Sequence, residues 1–486
     1  MVLSRRDVLK LGAALPFAPS ALAAPIPQKL TVTSRILEVK GKPAKVFGIT
    51  SANGKFGLEL VYGENFEVDL HNNLSEKTAI HWHGLTPPTA QDGVPGLSAS
   101  PLNAGETRRY QFANKRVGTH WMHSHLGLQE QQLLAAPLIV RETGKPVFDE
   151  QEHVVMLHDF TFRDAAEILS ELQGGGGGHA RHMKLGQLKM SGMAKTSDMK
   201  MAGMKIAEKA MSPDIAFDAI LANDRTLDDP EIVTVDKGGT VRLRLINAAA
   251  ATNFWVDLGS LKGQLIAVDG NAVKPVVVSR FPLAIAQRAD VRITLPNESA
   301  AWPVIFQCEG ATLRGGIIMK AGDGAITEIS DRGEEGAAIG LEFESSLRVP
   351  YELKRAKILQ RKSVMLTGGD DDYQWGFNGK PMMHEVLFSV KHGAGVELTM
   401  HNMTAMAHPM HLHGHYFQVT SINGKAIEGA LRDTVLIPPG EKVSVEFEAD
   451  NAGTWAIHCH HLYHMNSGMM AVMAYVGTKA VLPNGE

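Results

Sequence analysis

The chain of 486 residues carries a formal net charge of −4, with 44% hydrophobic and 21% charged residues. This length predicts about three domains, and the composition is typical of a globular protein. The near-neutral charge argues against a nucleic-acid partner, which would need a basic face. No internal apolar run reaches the length of a bilayer span, so we expect no stable membrane anchor, and we interpret the chain as a monomer.

The N-terminus has the pattern of an export signal. A twin-arginine block from Ser4 to Lys10 precedes a moderately apolar run that ends at Leu22, and small residues follow at the position that a signal peptidase reads. The alternative is an amphipathic surface helix. We interpret residues 1–23 as a twin-arginine signal peptide, which predicts a periplasmic mature protein.

Residues 24–145 are predicted to form the first domain. Short alternating runs bounded by Gly, Pro or Asn are typical of β-sandwiches and barrels. One such run, from Phe66 to Asn72, ends on an asparagine, and nine residues later the motif His81-Trp82-His83-Gly84 begins. A second pair follows at His123 and His125.

A methionine-rich insertion is predicted at about residues 164–211, within the second domain. It contains a run of five glycines, Gly174 to Gly178, and has too few other apolar residues to build much of a core, which predicts a mobile segment. Thioethers select Cu(I) over harder ions. The segment therefore predicts an accessory Cu(I)-binding role for seven residues: Met183, Met190, Met193, Met199, Met201, Met204 and Met211.

Residues 146–325 are predicted to form the second domain, which repeats the strand but not the histidines. The run from Val241 to Asn247 resembles the strand of the first domain, but Val256 and Leu258 stand at the histidine offsets. Cys308 lies in an apolar run and is interpreted as a buried small hydrophobic residue. The middle domain is therefore predicted to hold no metal ligands.

Residues 340–486 are predicted to form the third domain, in which the histidines return. The run from Val396 to Asn402 again ends on an asparagine, and His411-Leu412-His413-Gly414 begins nine residues later. A final pair, His458 and His460, flanks Cys459. The strands repeat three times, as expected of a recurring unit, and the first and third copies carry the ligands.

Strand geometry predicts two metal centres. Residues at positions i and i+2 of a strand point to the same face, so four histidine pairs predict a cluster of eight imidazoles. Copper, zinc, iron and nickel all bind imidazole. Cys459 lies between two of these histidines, so its sulfur points away from the cluster, toward a different metal.

The second centre is predicted to be a blue-copper site. His408 lies three positions before His411, hence on the opposite face of a regular strand, and His464 and Met469 follow Cys459 at five-residue steps. Two histidines, a thiolate and a weak thioether are the ligands of an electron-transfer copper. Zinc needs no thioether and offers no redox chemistry. An electron that leaves Cys459 has a short covalent route to both flanking histidines.

These motifs resemble those of the multicopper oxidases, a family that includes laccases, cuprous oxidases and ferroxidases. The resemblance covers essentially the whole mature chain, and it implies an all-β fold of three cupredoxin-like Greek-key β-barrels with four copper ions. The implied ligands are His408, Cys459, His464 and Met469 for the type 1 copper; His81 and His411 for the type 2 copper; and His83, His123, His125, His413, His458 and His460 for the type 3 pair.

Some residues depart from the family's pattern or add to it. Asp92 matches a family acid that is thought to help deliver protons to the cluster; the alternative is an aspartate that sets a turn before glycine. Related bacterial cuprous oxidases have an acid directly after the last type 1 histidine, where this chain has Met465. Three further histidines, His120, His415 and His461, are interpreted as neighbours of the sites rather than ligands.

Three functions remain open at this point. The first is a cuprous oxidase for copper tolerance, which would oxidise Cu(I) and phenols with dioxygen as acceptor. The second is a general laccase that acts on phenols or aromatic amines. The third is a copper-buffering protein without enzymatic activity, against which the complete ligand set argues. A two-domain copper nitrite reductase is excluded by the third domain and by all eight cluster histidines.

Overall fold

The computed structural model describes residues 27–144, 149–175, 213–354, 356–369 and 372–478. The described chain is built mostly of β-strands, which form six sheets in three consecutive pairs. The prediction of an all-β protein with three domains is confirmed. Within the described residues, the structure contains no helix with the length and apolarity of a membrane span.

The first domain packs two four-stranded sheets against each other. Its strands are β1 (Gln28–Val39), β2 (Lys42–Ser51), β3 (Leu58–Val61), β4 (Asn65–Asn72), β5 (Ile80–His81), β6 (Thr107–Ala113), β7 (Gly118–Ser124) and β8 (Ala135–Arg141). The strand orders are β2-β1-β4-β6 and β3-β8-β7-β5. A 3₁₀ turn at Thr89–Gln91 precedes Asp92.

The second domain has a six-stranded and a five-stranded sheet. Its elements are β9 (Gln151–Phe160), α1 (Ala165–Ser170) with a π turn at Glu171–Gly175, β10 (Ala219–Ala222), β11 (Glu231–Val235), β12 (Thr240–Asn247), β13 (Phe254–Asp257), β14 (Gly263–Val268), β15 (Asn271–Val278), β16 (Arg280–Leu283), β17 (Arg288–Thr294), β18 (Ala300–Cys308) and β19 (Arg314–Ala321). The strand orders are β10-β9-β12-β17-β14-β15 and β11-β19-β18-β13-β16.

The third domain follows a short linking helix and again has two sheets. Its elements are α2 (Glu342–Ser346), β20 (Ile358–Gly368), β21 (Trp375–Phe377), β22 (Met382–Val390), β23 (Gly395–Asn402), β24 (His408–Leu412), β25 (Phe417–Ile422), β26 (Lys425–Ala426), β27 (Leu431–Arg432), β28 (Thr434–Ile437), β29 (Lys442–Glu448), β30 (Thr454–Cys459), α3 (Leu462–Asn466) and β31 (Met469–Tyr475). The strand orders are β21-β20-β23-β29-β25-β26, with β27 beside β25, and β22-β31-β30-β24-β28.

The three domains repeat one topology. The strand that ends on the repeated asparagine pairs in parallel with the first strand of its domain in each copy, as β4 with β1, β12 with β9, and β23 with β20. Alternate residues of these strands fill the cores: Val396, Leu398 and Met400 are buried, while Glu397 and Thr399 between them are partly exposed. This period of two is the pattern that a half-buried strand requires.

The repeated asparagine forms the same buried corner in every domain. The Nδ2 atoms of Asn72, Asn247 and Asn402 donate to distant backbone carbonyl oxygens, at 3.1 Å, 3.0 Å and 2.8 Å. Each Oδ1 accepts from the backbone N–H two residues further on, at 2.9 to 3.0 Å. The corner leads the chain out of the strand toward the positions where the histidine motifs begin in the first and third domains.

We expect Asn247→Ala to destabilise the middle domain. The substitution leaves two buried carbonyl oxygens and the Ala249 N–H without the amide that pairs with them. Each buried unsatisfied group costs about 1–3 kcal/mol, so the unfolding midpoint in calorimetry should fall clearly. Asn65→Ala, at the exposed start of β4, is the control and should leave the midpoint unchanged; equal midpoints for the two variants would contradict the role of the corner.

Candidate metal centres

Two pairs of antiparallel strands bring the histidines together. In the first domain β5 pairs with β7 so that His81 lies opposite His123, and in the third domain β24 pairs with β30 so that His411 lies opposite His458. Paired residues point to the same face of a sheet. The other member of each histidine pair follows two residues further along the chain, and the two half-sites meet between the first and third domains.

All eight predicted cluster histidines lie in this meeting place. Groups with metal-binding atoms within 4.8 Å of one another include three made only of histidines: His81 with His83 and His123; His81 with His411 and His413; and His125 with His413 and His458. The rings of His460 and His123 lie 4.9 Å apart, which places the eighth histidine beside the others. The structure therefore brings together every histidine that the pairs predicted.

Several of the ring nitrogens that face the centre lack hydrogen-bond partners. His81, His123, His411 and His460 each have a buried, unpartnered Nε2 atom, and His83 has a buried, unpartnered Nδ1 atom. The Nε2 atoms of His413 and His458 face each other at 2.9 Å. Buried polar atoms are ordinarily hydrogen-bonded, so this concentration of free lone pairs is what a set of metal ligands requires.

Burial keeps these imidazoles in the form that binds metals. Loss of solvation, followed by the influence of neighbouring histidines, holds the pKa values of His83, His411, His413 and His460 well below the usual histidine range. The pKa of His123 is lowered in the same way. Neutral imidazole is the ligand form of histidine, and these five rings hold it at neutral pH.

Outer contacts orient the rings. Asp92 is buried, and its Oδ2 atom accepts from His413 Nδ1 at 2.7 Å, while its backbone carbonyl oxygen accepts from His81 Nδ1 at 2.9 Å. The carbonyl oxygen of Asp433 accepts from His411 Nδ1 at 2.8 Å. Such contacts on the far nitrogen of a histidine fix its tautomer and direction. Asp92 thus lies against one predicted type 2 and one predicted type 3 histidine.

A second donor set lies on the opposite face of β30. Cys459 is paired with Met410 across the sheet, and His408 precedes Met410 by two residues, so it shares that face. The Cys459 Sγ atom lies 3.5 Å from His408 Nδ1 and 3.8 Å from His464 Nδ1. Met469 begins β31 and is fully buried in the same core.

This second set suits a soft redox metal. Burial raises the pKa of the Cys459 thiol and lowers that of His464 to about 3, so the ligand thiolate would need a bound cation to form. Two imidazoles, a thiolate and a thioether are the full donor set of a blue-copper site. The chemistry of the donors therefore fits copper.

Apolar residues occupy the matching positions of the middle domain. Across β13 and β18, Val256 lies opposite Phe306, where the third domain has His411 opposite His458. Both side chains are fully buried and belong to the core of the second domain. Cys308 is buried beside them and its thiol has a raised pKa, which fits the interpretation as a small hydrophobic residue.

The extra histidines are buried rather than exposed. His120 Nε2 lies 3.1 Å from the carbonyl oxygen of Val117, and His415 Nε2 lies 2.7 Å from the Tyr475 hydroxyl. His461 stacks on His464 with ring centroids 3.7 Å apart. The seven methionines at 183–211 lie outside the described residues, as do residues 1–23.

Two carboxylates that the sequence patterns did not single out lie against the sites. The nearly buried Asp214 approaches the far nitrogens of His461 and His464, at 3.4 Å and 3.7 Å, and accepts a hydrogen bond from the Tyr373 hydroxyl. Glu130 lies 3.1 Å from His123 Nδ1 and 3.7 Å from His460 Nδ1. Each is far in sequence from at least one of its histidines, so spacing gave no signal for it.

Comparison with known proteins points to one family. Three sequence models described as multicopper oxidase match residues 31–145, 151–319 and 357–478. Multicopper oxidase MmcO of Mycobacterium tuberculosis is 28% identical over 422 residues, which cover 85% of this chain and 80% of that protein. Copper resistance protein A of Escherichia coli is 27% identical, with coverage of 84% and 85%.

Solved structures show the same fold. The laccase from Botrytis aclada superposes with a TM-score of 0.73 at 20% identity, covering 92% of this chain and 87% of that one. The prediction of three cupredoxin-like domains is confirmed. The chain belongs to the multicopper oxidase family, and it is an oxidase enzyme for which copper is the implied cofactor, dioxygen the acceptor and a reductant the substrate.

We expect substitutions on the two faces of the sheet that β24 and β30 form to separate the two centres. Cys459→Ser should abolish the intense blue absorption together with substrate oxidation, because a hydroxyl cannot replace a soft thiolate. His411→Ala should keep the blue absorption, and its reduction by substrate, but stop dioxygen consumption, because this ring points to the other face. Absorption spectra and oxygen-electrode traces measure both. Loss of the blue band in His411→Ala would contradict the separation of the two faces.

Proposed function

We propose that this enzyme couples the one-electron oxidation of Cu(I) or phenols to the four-electron reduction of dioxygen to water, and that it serves copper tolerance in the periplasm. The observation that carries the proposal is the pair of donor sets on opposite faces of β30: one sulfur-containing set and one of eight histidines. A twin-arginine signal at residues 1–23 and a monomeric state belong to the same proposal.

Four copper ions are assigned by position. The type 1 ligands are His408, Cys459, His464 and Met469; the type 2 ligands are His81 and His411; and the type 3 ligands are His83, His123, His125, His413, His458 and His460. When bound, copper supplies reversible one-electron chemistry at the first site and multi-electron chemistry toward dioxygen at the cluster. The backbone around Cys459 joins the two sites, because His458 and His460 are its immediate neighbours in sequence.

The entrance for reducing equivalents is assigned to the surroundings of His464. Trp375 lies against this ring with centroids 3.9 Å apart, and Tyr373 lies 5.9 Å away. Asp214 adds a carboxylate at the outer edge of His464. Burial alone would raise the pKa of Asp214, but His461 and His464 hold it well below its usual range. An anionic carboxylate attracts a copper cation and also accepts the proton of a phenol.

Proton supply to the cluster is assigned to Asp92 and Glu130. Water formation consumes protons, and this chain has Met465 where related bacterial enzymes have an acid. Glu130 is buried on the side of the predicted type 3 histidines, and burial together with Asp159 raises its pKa well above the usual range. A carboxyl group with a raised pKa keeps its proton to a higher pH than an ordinary glutamate, so Glu130 can hold a proton at Oε2, within reach of His123. Asp92 lies on the side of His81 and His413.

Cu(I) is favoured as the physiological substrate over a phenol. Copper resistance protein A of Escherichia coli is among the relatives, and soft thioethers are abundant around the first site. Met406 packs against the core that contains the type 1 ligands, and seven further methionines of the 183–211 segment are proposed to bind Cu(I). The second candidate is a general laccase, which the anionic Asp214 also suits.

We expect oxygen uptake to test the proposed reaction directly. The wild-type enzyme should consume one dioxygen for every four Cu(I) oxidised and release no hydrogen peroxide. Asp214→Asn should raise KM for Cu(I) by roughly tenfold, equivalent to about 1.4 kcal/mol, since the carboxylate charge beside His464 is lost. Asp218→Asn is the matched control, because the carboxylate of this exposed aspartate accepts from Thr161 and Phe162 rather than contacting either histidine, and it should keep KM unchanged. Peroxide as the main product would contradict the proposed function.

We expect Glu130→Gln to slow the oxidative half of the cycle alone. The amide keeps the size of the side chain but has no carboxyl proton to give. Anaerobic bleaching of the blue band by substrate should keep its rate, while reoxidation by dioxygen should slow by roughly 10²-fold, the lower end of a general acid's contribution. Stopped-flow absorbance separates the two phases. Glu76→Gln, which alters a carboxylate that pairs with Gln129 instead, should change neither; a normal reoxidation rate in Glu130→Gln would exclude Glu130.

A further inference from the structure

The middle domain reaches the histidine cluster through one arginine. Arg288 begins β17, and its guanidinium is fully buried where all three domains meet. Its Nε atom donates to the carbonyl oxygen of Thr119 in the first domain at 3.2 Å. Its Nη1 atom donates to Asp433 Oδ1 in the third domain at 2.8 Å, and Nη2 donates to Asp433 Oδ2.

Space for this guanidinium is built into the cluster motif itself. Gly84, which follows His83, has a φ of 91°, and a Cβ atom at this position would come within 2.5 Å of His120 Nδ1 and 2.7 Å of Arg288 Nη2. The glycine of the motif His81-Trp82-His83-Gly84 is therefore required both for its backbone conformation and for the approach of the arginine. Within its own domain, Arg288 Nη1 donates to the Ala286 carbonyl oxygen at 2.9 Å, and the backbone N–H of Arg288 donates to Asp269 Oδ1 at 2.9 Å.

Asp433 links Arg288 to a cluster histidine by hydrogen bonds. Its Oδ1 atom accepts from His83 Nε2 at 3.1 Å and from the Thr434 hydroxyl at 2.9 Å. A neutral imidazole has one N–H, so donation from Nε2 leaves the lone pair on Nδ1. That Nδ1 atom is the unpartnered nitrogen of His83, whereas the unpartnered nitrogen of His81, His123, His411 and His460 is Nε2.

We propose that Arg288 is a positioning residue for the copper cluster: by donating hydrogen bonds to both carboxylate oxygens of Asp433, it sets the tautomer and the direction of the His83 ring. The bidentate contact fixes the plane of the carboxylate, and the carboxylate fixes the ring that would otherwise be free to present Nε2. The domain without metal ligands thereby contributes to the centre. This inference rests on the proposed assignment of His83 as a type 3 ligand.

A second arginine offers a matched control. Arg244 is also buried in the middle domain, donates to Asp290 Oδ2 at 2.9 Å and to Glu152 Oε1 at 2.8 Å, and reaches the Thr119 hydroxyl of the first domain at 3.0 Å. Neither of the carboxylates that Arg244 contacts is Asp433, the carboxylate that bonds to His83. Arg244 therefore shares the domain-joining role of Arg288 without the path to the cluster.

The experiment compares Arg288→Lys, Asp433→Asn and Arg244→Lys as purified holoenzymes. Lysine keeps the positive charge but lacks the planar pair of donors that binds both carboxylate oxygens of Asp433. We expect Arg288→Lys and Asp433→Asn to keep the blue type 1 absorption but to bind cluster copper roughly 10–100-fold more weakly, the usual loss when an outer contact of a ligand is removed. Metal analysis after dialysis against a chelator, and the type 2 electron paramagnetic resonance spectrum, measure this. Arg244→Lys should lower the unfolding midpoint while copper per chain stays at the wild-type value.

Full cluster copper and an unchanged resonance spectrum in both Arg288→Lys and Asp433→Asn would overturn the proposal, as would equal copper loss in Arg244→Lys. If Arg288→Lys does not fold, Asp433→Asn decides alone, because it cuts the same path from the other side. A crystal structure of either variant without copper adds a direct readout: the His83 ring should be rotated or should occupy two conformations. A wild-type protein that holds all its copper but reduces no dioxygen would refute the proposed function and leave this inference intact.

Discussion

Side chains alternate between the two faces of β30, and both proposed centres depend on this alternation. His458 and His460 turn toward the first domain, while Cys459 between them turns into the core of the third. The neighbouring strand β24 repeats the division, with His408 on the cysteine's face and His411 on the other. A shift of one residue in the pairing would exchange the faces. The buried corner at Asn402, which leads into β24, therefore helps to hold the register on which both centres rely.

The cluster is shared between domains, so neither the first nor the third domain can assemble it alone. Each provides two histidine pairs, and burial lowers the pKa of five of the rings, His83, His123, His411, His413 and His460; His81, His83, His123, His411 and His460 turn unpartnered nitrogens inward. Such an arrangement is costly in the absence of metal, because buried polar atoms without partners destabilise a fold. Copper binding offsets that cost only in the native state, which couples metal loading to the docking of the domains.

Residue spacing predicted the parts of this protein that depend on a single strand or its repeat. The period of two indicated which histidines share a face, and the three asparagine-ended strands indicated three domains; the structure has both features. Spacing could not identify four further residues, because each contacts its partner across a domain boundary: Asp214, Glu130, Asp433 and Arg288. Arg288 and Asp433, for example, are 145 positions apart in the sequence. The only signal was local: a charged pair, Arg432-Asp433, just before an apolar strand, and Glu130 in the loop after His125.

The residues that act across domain boundaries come from all three domains. The proposed metal ligands all lie in the first and third domains, whereas Asp214, the acid proposed for the reductant entrance, and Arg288, the residue proposed to position His83, come from the second. Met465 is apolar at the position where related bacterial cuprous oxidases have an acid, and Glu130 of the first domain is proposed to provide a carboxyl group instead. Since these groups touch ligands from outside their own strands, each can change without disturbing the alternation on β30. Substrate preference and proton supply can therefore vary among such enzymes while the copper-binding strands keep one pattern.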